Sequence, residues 1–337
     1  MLQTTGAVGR QLDEDDLLKF CEQRIEKGSK SFAGAAKLFD APTRRSAIML
    51  YAWCRYCDDV VDGQELGFTA PGGPDMACSK RLDELRRTTQ DALEGRFDQP
   101  AFQALASVAA RHNIAARHPL DLIEGFAMDV DGRAYETMDE TLSYCYHVAG
   151  VVGVMMAFIM GVDEDDVEAQ ETLARASDLG IAFQLTNIAR DVIPDAQSGR
   201  VYLPRDLLFR HGFNSADAQC TETLASPEMR PKIAAAVNEL LSVADDYYHS
   251  AGLGIGRLPF RSAWAIASAR RVYRDIGRLV RSRGETAWDA RVSTSRAAKL
   301  AGSGVALGEA IAARSARAKS GDLANRSGLW TPPFLRV

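Results

Sequence analysis

Asp58 and Asp62 stand four residues apart in the run Asp58-Asp59-Val60-Val61-Asp62-Gly63, at the end of an apolar pattern that also carries Tyr51, Trp53, Arg55 and Tyr56. On a helix such positions are neighbours, and two carboxylates there repel by about 0.2–0.5 kcal/mol on an exposed surface. A hard divalent cation reverses the sign, because Mg²⁺ binds through one or two carboxylates together with substrate phosphates. Arg55, three residues before Asp58, shares that side and has the planar fork that grips a phosphate. The plain alternative is a solvated acidic helix end.

A second cluster repeats the spacing. In Gln184-Leu185-Thr186-Asn187-Ile188-Ala189-Arg190-Asp191-Val192-Ile193-Pro194-Asp195, the side chains of Gln184, Asn187 and Asp191 share one helical face and Arg190 adds a cation. Pro194 disfavours helix at Ile193, so Asp195 is expected on the exit turn, near Asp191. The preceding residues, Leu179 to Phe183, are apolar or small. Oxygen ligands emerging from such a helix are costly unless something binds them. Two oxygen clusters, each with an arginine, suit several Mg²⁺ ions around a diphosphate, with Asp58, Asp62, Asn187, Asp191 and Asp195 as ligands.

The elements that must position these groups are helical. Apolar residues recur at helical spacing in 13–27, 43–61, 82–93, 120–130, 142–161, 167–193, 233–248 and 263–280. No stretch sustains a period of two. The pattern predicts an all-α, single-domain bundle with a central cavity over residues 17–312, a flexible N-terminus over 1–16 and a flexible C-terminal tail over 313–337. The one strongly apolar stretch, Val148 to Val162, has 15 residues, short of the roughly 20 that span a bilayer. Along it Gly150, Gly153, Ala157 and Gly161 recur at steps of three and four. This small-residue stripe has two readings: a face for a closely approaching helix, or room for a long apolar tail beside Tyr144, Val148, Val151 and Met155.

Composition narrows the function classes. A net charge of −5 argues against nucleic acid. Six cysteines are scattered, and Cys54-x-x-Cys57 lacks both a second pair for zinc and the βαβ setting of a redox motif. Free thiols in a reducing cytoplasm fit better. The first sixteen residues have no apolar core of a signal peptide. Asp246-x-x-His249 lacks the paired Glu-x-x-His motifs of a di-iron bundle. The tail is basic and ends in Trp330, Pro332, Pro333 and Phe334, so it is either disordered or a contact for a membrane surface.

From about Leu17 to about Leu300 the chain resembles the head-to-head isoprenyl diphosphate synthases, the squalene/phytoene synthase family, and within it the bacterial phytoene synthases. The markers are Gly28-Ser29-Lys30-Ser31-Phe32, Tyr51-Ala52-Trp53-Cys54-Arg55, Asp58 to Gly63, Tyr144-Cys145-Tyr146-His147-Val148-Ala149-Gly150, Gln184 to Asp195, and Gly199-Arg200-Val201-Tyr202-Leu203-Pro204. Six blocks in the family's order are highly specific. The resemblance implies the isoprenoid synthase-type helical fold and Mg²⁺-dependent condensation of two geranylgeranyl diphosphates to phytoene without NADPH, with Mn²⁺ as a substitute ion. It implies catalytic roles for Asp58, Asp62, Asp191, Arg55 and Tyr144. Ser31, Arg55, Gln184, Arg190, Tyr273 and Arg291 would bind substrate, with Gly150, Gly153 and Ala157 along the tail channel. Gly28 stands where the family often has histidine, which leaves Lys30, Arg44 or Arg45 as substitutes. The alternatives are a dehydrosqualene- or squalene-type synthase using farnesyl diphosphate, and a non-catalytic assembly factor of the same fold.

Overall fold

The structure, a computed structural model, describes residues 11–28, 34–62, 64–65, 68–69, 78–163, 168–293, 296–317 and 326–335. By its contacts the chain divides into two compact units, Met1–Val130 with Phe158–Gly161 and Asp131–Ala157 with Val162–Val337. Each unit has its own helical core.

The first unit is built on α1 (Glu14–Gly28) and α2 (Ala41–Asp62). Asp40 starts α2, accepting from Thr43 N at 3.0 Å and Thr43 Oγ1 at 2.9 Å, which satisfies orphan donors of the first turn. Ala47, Leu50, Trp53, Cys57 and Val61 are all buried; steps of three and four put them on one stripe. That stripe is answered by Leu17, Cys21 and Ile25 of α1. A two-residue antiparallel pair, β1 (Gln64–Glu65) with β2 (Phe68–Thr69), follows α2. Next come α3 (Cys78–Leu93), α4 (Pro100–Arg111) and α5 (Arg117–Val130). The sequence pattern does not announce α4, whose buried face is partly alanine: Ala101, Phe102, Ala104, Leu105 and Val108. Gln103 of α4 bonds both backbone groups of Leu12, at 3.0 and 2.7 Å. The expected flexible N-terminus therefore does not extend over 11–16, because Leu12 is tied down and α1 begins at Glu14; Met1 to Arg10 lie outside the described residues.

In the second unit, Thr137 caps α6 (Met138–Cys145) by accepting from Glu140 N at 3.3 Å. A π-helical segment, Tyr146–Gly150, joins α6 to α7 (Val151–Ile159). The continuous helical stretch Met138–Ile159 has the length and hydropathy of a membrane span, but it is mostly buried within the protein, as a core helix is. Then come the long α8 (Ala169–Gln197), the short α9 (Arg205–Arg210) and α10 (Thr221–Ala225), α11 (Arg230–Gly254), α12 (Phe260–Arg283) and α13 (Arg296–Arg317). The core of this unit is α8 packed against α11, α12 and the π segment. The pattern misses α13 because Gly302, Gly304 and Gly308 dilute it and lower intrinsic helix propensity. Of the tail expected to be flexible over 313–337, residues 313–317 continue α13, and 318–325 and 336–337 lie outside the described residues. Residues 326–335 pack on the unit's core through Arg326, Trp330 and Phe334, and Trp330 and Phe334 turn their rings toward Tyr146.

Candidate active site

The α8 cluster takes shape on one side of that helix. Asn187 Nδ2 donates to Gln184 Oε1 at 3.3 Å. The Asn187 Oδ1 atom is buried and accepts no hydrogen bond among the described residues, an exception that native interiors rarely tolerate. Asp191 lies one turn further on, with Arg190 donating to Oδ1 from Nε at 2.9 Å and to Oδ2 from Nη2. The Arg190 guanidinium is pressed down by burial, but its bond to Asp191 carries it above the usual arginine value, so it stays charged. Asp195 was expected on an exit turn. Instead α8 runs through Pro194 to Gln197, which places Asp195 one helical turn past Asp191. The missing amide of Pro194 falls in the last turn, on an exposed position, where water can satisfy the carbonyl it leaves unpaired.

Tyr273 of α12 joins this cluster. Its ring stacks on Phe183 at 4.1 Å between centroids and 23° between planes. Burial pushes its phenol up, Arg190 opposes that, and Asp191 adds to it; the phenol is neutral and available as a hydrogen-bond donor. Thr186 locks the register of α8 from behind, with Oγ1 2.9 Å from the Ala182 carbonyl and 2.8 Å from the Tyr248 hydroxyl of α11. Trp288 Nε1 donates to the Ala189 carbonyl at 3.2 Å. Arg291 is exposed on the stretch of chain beyond Trp288 and forms no ion pair among the described residues.

In the first unit, α2 ends on the acidic motif. Arg55 Nη1 lies 2.8 Å from Asp58 Oδ2 and Nη2 lies 2.7 Å from Asp59 Oδ1. Asp59 is the residue that spacing overlooked. It is buried, and Arg24 Nη1 of α1 also approaches it, at 3.8 Å. Arg55, read from sequence as a phosphate grip, therefore bridges two carboxylates, one buried and one half-exposed. Asp62 is the last residue of α2; its side chain, like all of Ser31 and Lys30, lies outside the described residues. Arg44 and Arg45 line a cleft of about 290 Å³ with Glu14 and Arg111. Glu14 holds Arg45 at 2.7 Å, and its carboxyl is lowered by that bond and by Arg111. Cys54 and Cys57 are free thiols, Cys54 pushed by burial to about 12 and Cys57 also well up.

Tyr144, at the end of α6, is buried and stacks on Tyr202 at 4.9 Å and 17°, with Tyr135 at 5.3 Å. Tyr202 was legible only as part of a family marker; nothing in its spacing links it to Tyr144. The small-residue stripe resolves to close helix approach at its first two positions. A Cβ on Gly153 would stand 2.3 Å from the Ala176 carbonyl oxygen of α8, and one on Gly150 would stand 3.0 Å from Ser177 Oγ. From the opposite side, a Cβ on Gly180 would stand 2.2 Å from the Ala149 carbonyl oxygen. Gly150 and Gly153 thus do not line a tail channel, and Ala157 is fully buried. Replacing Gly153 by alanine is expected to cost about 1–3 kcal/mol through overpacking, read as a lower urea midpoint, with no change in preference between substrates of different length.

The donor set fits a hard cation. Among the described residues no three acidic, histidine or cysteine side chains converge on one point. An orphan amide oxygen beside carboxylates suits Mg²⁺, which completes its shell with water and substrate phosphates. A family model described as squalene/phytoene synthase matches residues 25–298. A 15-cis-phytoene synthase of Enterobacter agglomerans is 49% identical over 304 residues, covering 90% of this chain and 99% of that protein. The 15-cis-phytoene synthase of a Paracoccus species is 49% identical over 319 residues, covering 94% and 98%. Among solved structures, a dehydrosqualene synthase in complex with ligand aligns with a TM-score of 0.74 at 26% identity, over 91% of this chain and 99% of that one. With oxygen ligands, arginines and a neutral tyrosine on α8 and α12, and an acidic α2 terminus, the chain belongs to the squalene/phytoene synthase family of prenyltransferase-type enzymes.

Proposed function

We infer that the chain condenses two geranylgeranyl diphosphates head to head into phytoene, with Mg²⁺ and without NADPH, in the cytoplasm. The observation that carries this reading is the buried, unpartnered Asn187 Oδ1 on the same side of α8 as Gln184 and Asp191. Near-half identity to two 15-cis-phytoene synthases supports the product. Asn187, Asp191 and Asp195 on α8 would hold metal, which neutralises charge on a departing diphosphate; the same role is proposed, separately, for Asp58 and Asp62 on α2. Arg190 and the Tyr273 phenol donate to the same oxygens, where charge develops. The C–O bond breaks and the diphosphate leaves with the electron pair. The double bond of the second substrate attacks the allyl cation, and proton loss closes a cyclopropane, prephytoene diphosphate. Loss of the second diphosphate, rearrangement and a second proton loss give phytoene. Every step conserves electrons, so no reductant enters. The buried Tyr144–Tyr202 pair offers π-faces to a cation and keeps water away from it.

Product analysis with C15 and C20 diphosphates, each with and without NADPH, tests the reading. The expected result is phytoene from the C20 substrate alone and no response to NADPH. Turnover of the C15 substrate only would replace it with a squalene-type synthase or with a dehydrosqualene synthase, the latter being the name of the solved relative.

A further inference from the structure

Asp178 is fully buried on α8, under two turns before Gln184. A buried carboxylate needs a counter-charge and a full set of donors, and most of those reach it from far along the chain. Arg326 donates to Asp178 Oδ2 from Nε at 2.8 Å and to Oδ1 from Nη2 at 2.6 Å. Ser250 of α11 donates to Oδ2 and accepts from Arg175 Nη1 at 2.8 Å. Arg326 also donates to the Trp330 carbonyl at 3.2 Å, and the Trp330 amide donates to the Tyr247 hydroxyl at 3.1 Å. The Trp330 and Phe334 rings then lie 5.8 and 6.2 Å from the ring of Tyr146, the buried first residue of the π segment.

These contacts fall on both sides of one seam. Gly180 of α8 meets the backbone of Ala149 and Gly150 in the π segment. Asp178 lies two residues before Gly180, and Tyr146 three before Ala149. The same ten residues, 326–335, therefore grip α8 through Asp178 and the π segment through Tyr146. Beyond the seam, α8 leads to Gln184 and Asn187, and the π segment leads back to Tyr144. We propose that residues 326–335 form a positioning strap in which Arg326 and Trp330 set the seam between α8 and the π segment, and through it the placement of Tyr144 and Asn187 for turnover. This proposal rests on the reaction inferred above; Arg326 and Trp330 act through Asp178, Tyr247 and Tyr146.

The test uses the full chain with Trp330→Leu and Trp330→Phe, which leave the Arg326–Asp178 pair in place, and the double variant Asp178→Asn/Arg326→Gln, which exchanges that pair for neutral hydrogen-bonding groups of similar shape. Amide hydrogen exchange over 144–153 reads the seam with no substrate present. Steady-state kinetics on the C20 diphosphate, well below the melting temperature of each variant, read turnover. In Trp330→Leu, exchange over 144–153 should quicken. Its kcat should fall by about tenfold or more, as expected for misplaced reacting groups. Its KM should hold within about twofold, since no ground-state contact is removed. Trp330→Phe should restore much of both. Arg326→Gln alone should lose stability, and the double variant should regain it. Unchanged exchange in Trp330→Leu, or a kcat that falls only in step with the unfolded fraction, overturns the strap. A wild-type chain that makes no phytoene overturns the reaction instead, and the exchange result still decides the strap.

Discussion

Asp191→Asn is expected to lower turnover by about 10²–10³-fold or more, the range seen when a group facing developing charge is removed. The substitution keeps the shape of the side chain and removes its charge. Arg190 loses its partner, so a modest stability cost follows, about 1 kcal/mol for a pair that is partly screened by solvent. The decisive measurement is paired. Product formation is followed together with melting temperature in Mg²⁺, in inorganic diphosphate and in both. If metal and diphosphate complete each other's site, the joint shift in the wild-type chain exceeds the sum of the separate shifts, because each ligand binds the folded state better when the other is present. Asp191→Asn should lose that excess. An Asp191→Asn chain with normal turnover would remove α8 from metal binding.

The second large effect separates two adjacent aspartates. Asp59 is buried between Arg55 and Arg24, whereas the Asp58 side chain, which meets Arg55, is 42% exposed. Removing one partner of a buried ion pair leaves the other charge uncompensated, at about 3–5 kcal/mol. Asp59→Leu should therefore move the urea midpoint far down. Asp58→Asn should leave it nearly in place and abolish activity, since Asp58 is the half that faces outward. Equal midpoints for the two variants would mean that Asp59 is no more structural than its neighbour. Arg55 follows from the same geometry: its bond to Asp59 fixes the guanidinium, so that Asp58 can turn to a cation without releasing Arg55 into the solvent.

What the sequence made legible were features carried by short-range spacing. Steps of three and four locate α2 and α8, and with them Gln184, Asn187 and Asp191 on a common side. Local rules failed where a neighbour in space decided the outcome. The rule for residues before proline stopped α8 at Ile193, but the helix continues because only its last, exposed turn loses a donor. Gly150 and Gly153 have the same spacing whether they face a lipid tail or a backbone carbonyl; the Ala176 oxygen decides, and it lies on another helix. Asp59 carries the same side chain as Asp58, so only burial distinguishes them. Arg326 sat in a tail with no periodicity at all, and its partner is Asp178.

The distance along the chain between that pair has a consequence for biosynthesis. Arg326 follows Asp178 by 148 residues. At roughly 5–20 residues per second of synthesis, a ribosome needs about 7–30 s to deliver the cation after it has delivered the anion. Throughout that interval Asp178 is better off hydrated than buried, and a nascent α8 has reason to keep the face bearing it wet. The final docking of α8 is then expected to wait until Arg326 has left the exit tunnel. A chain stalled before Arg326 would expose an apolar helix pair to chaperones, although every residue read as a metal ligand had already been made.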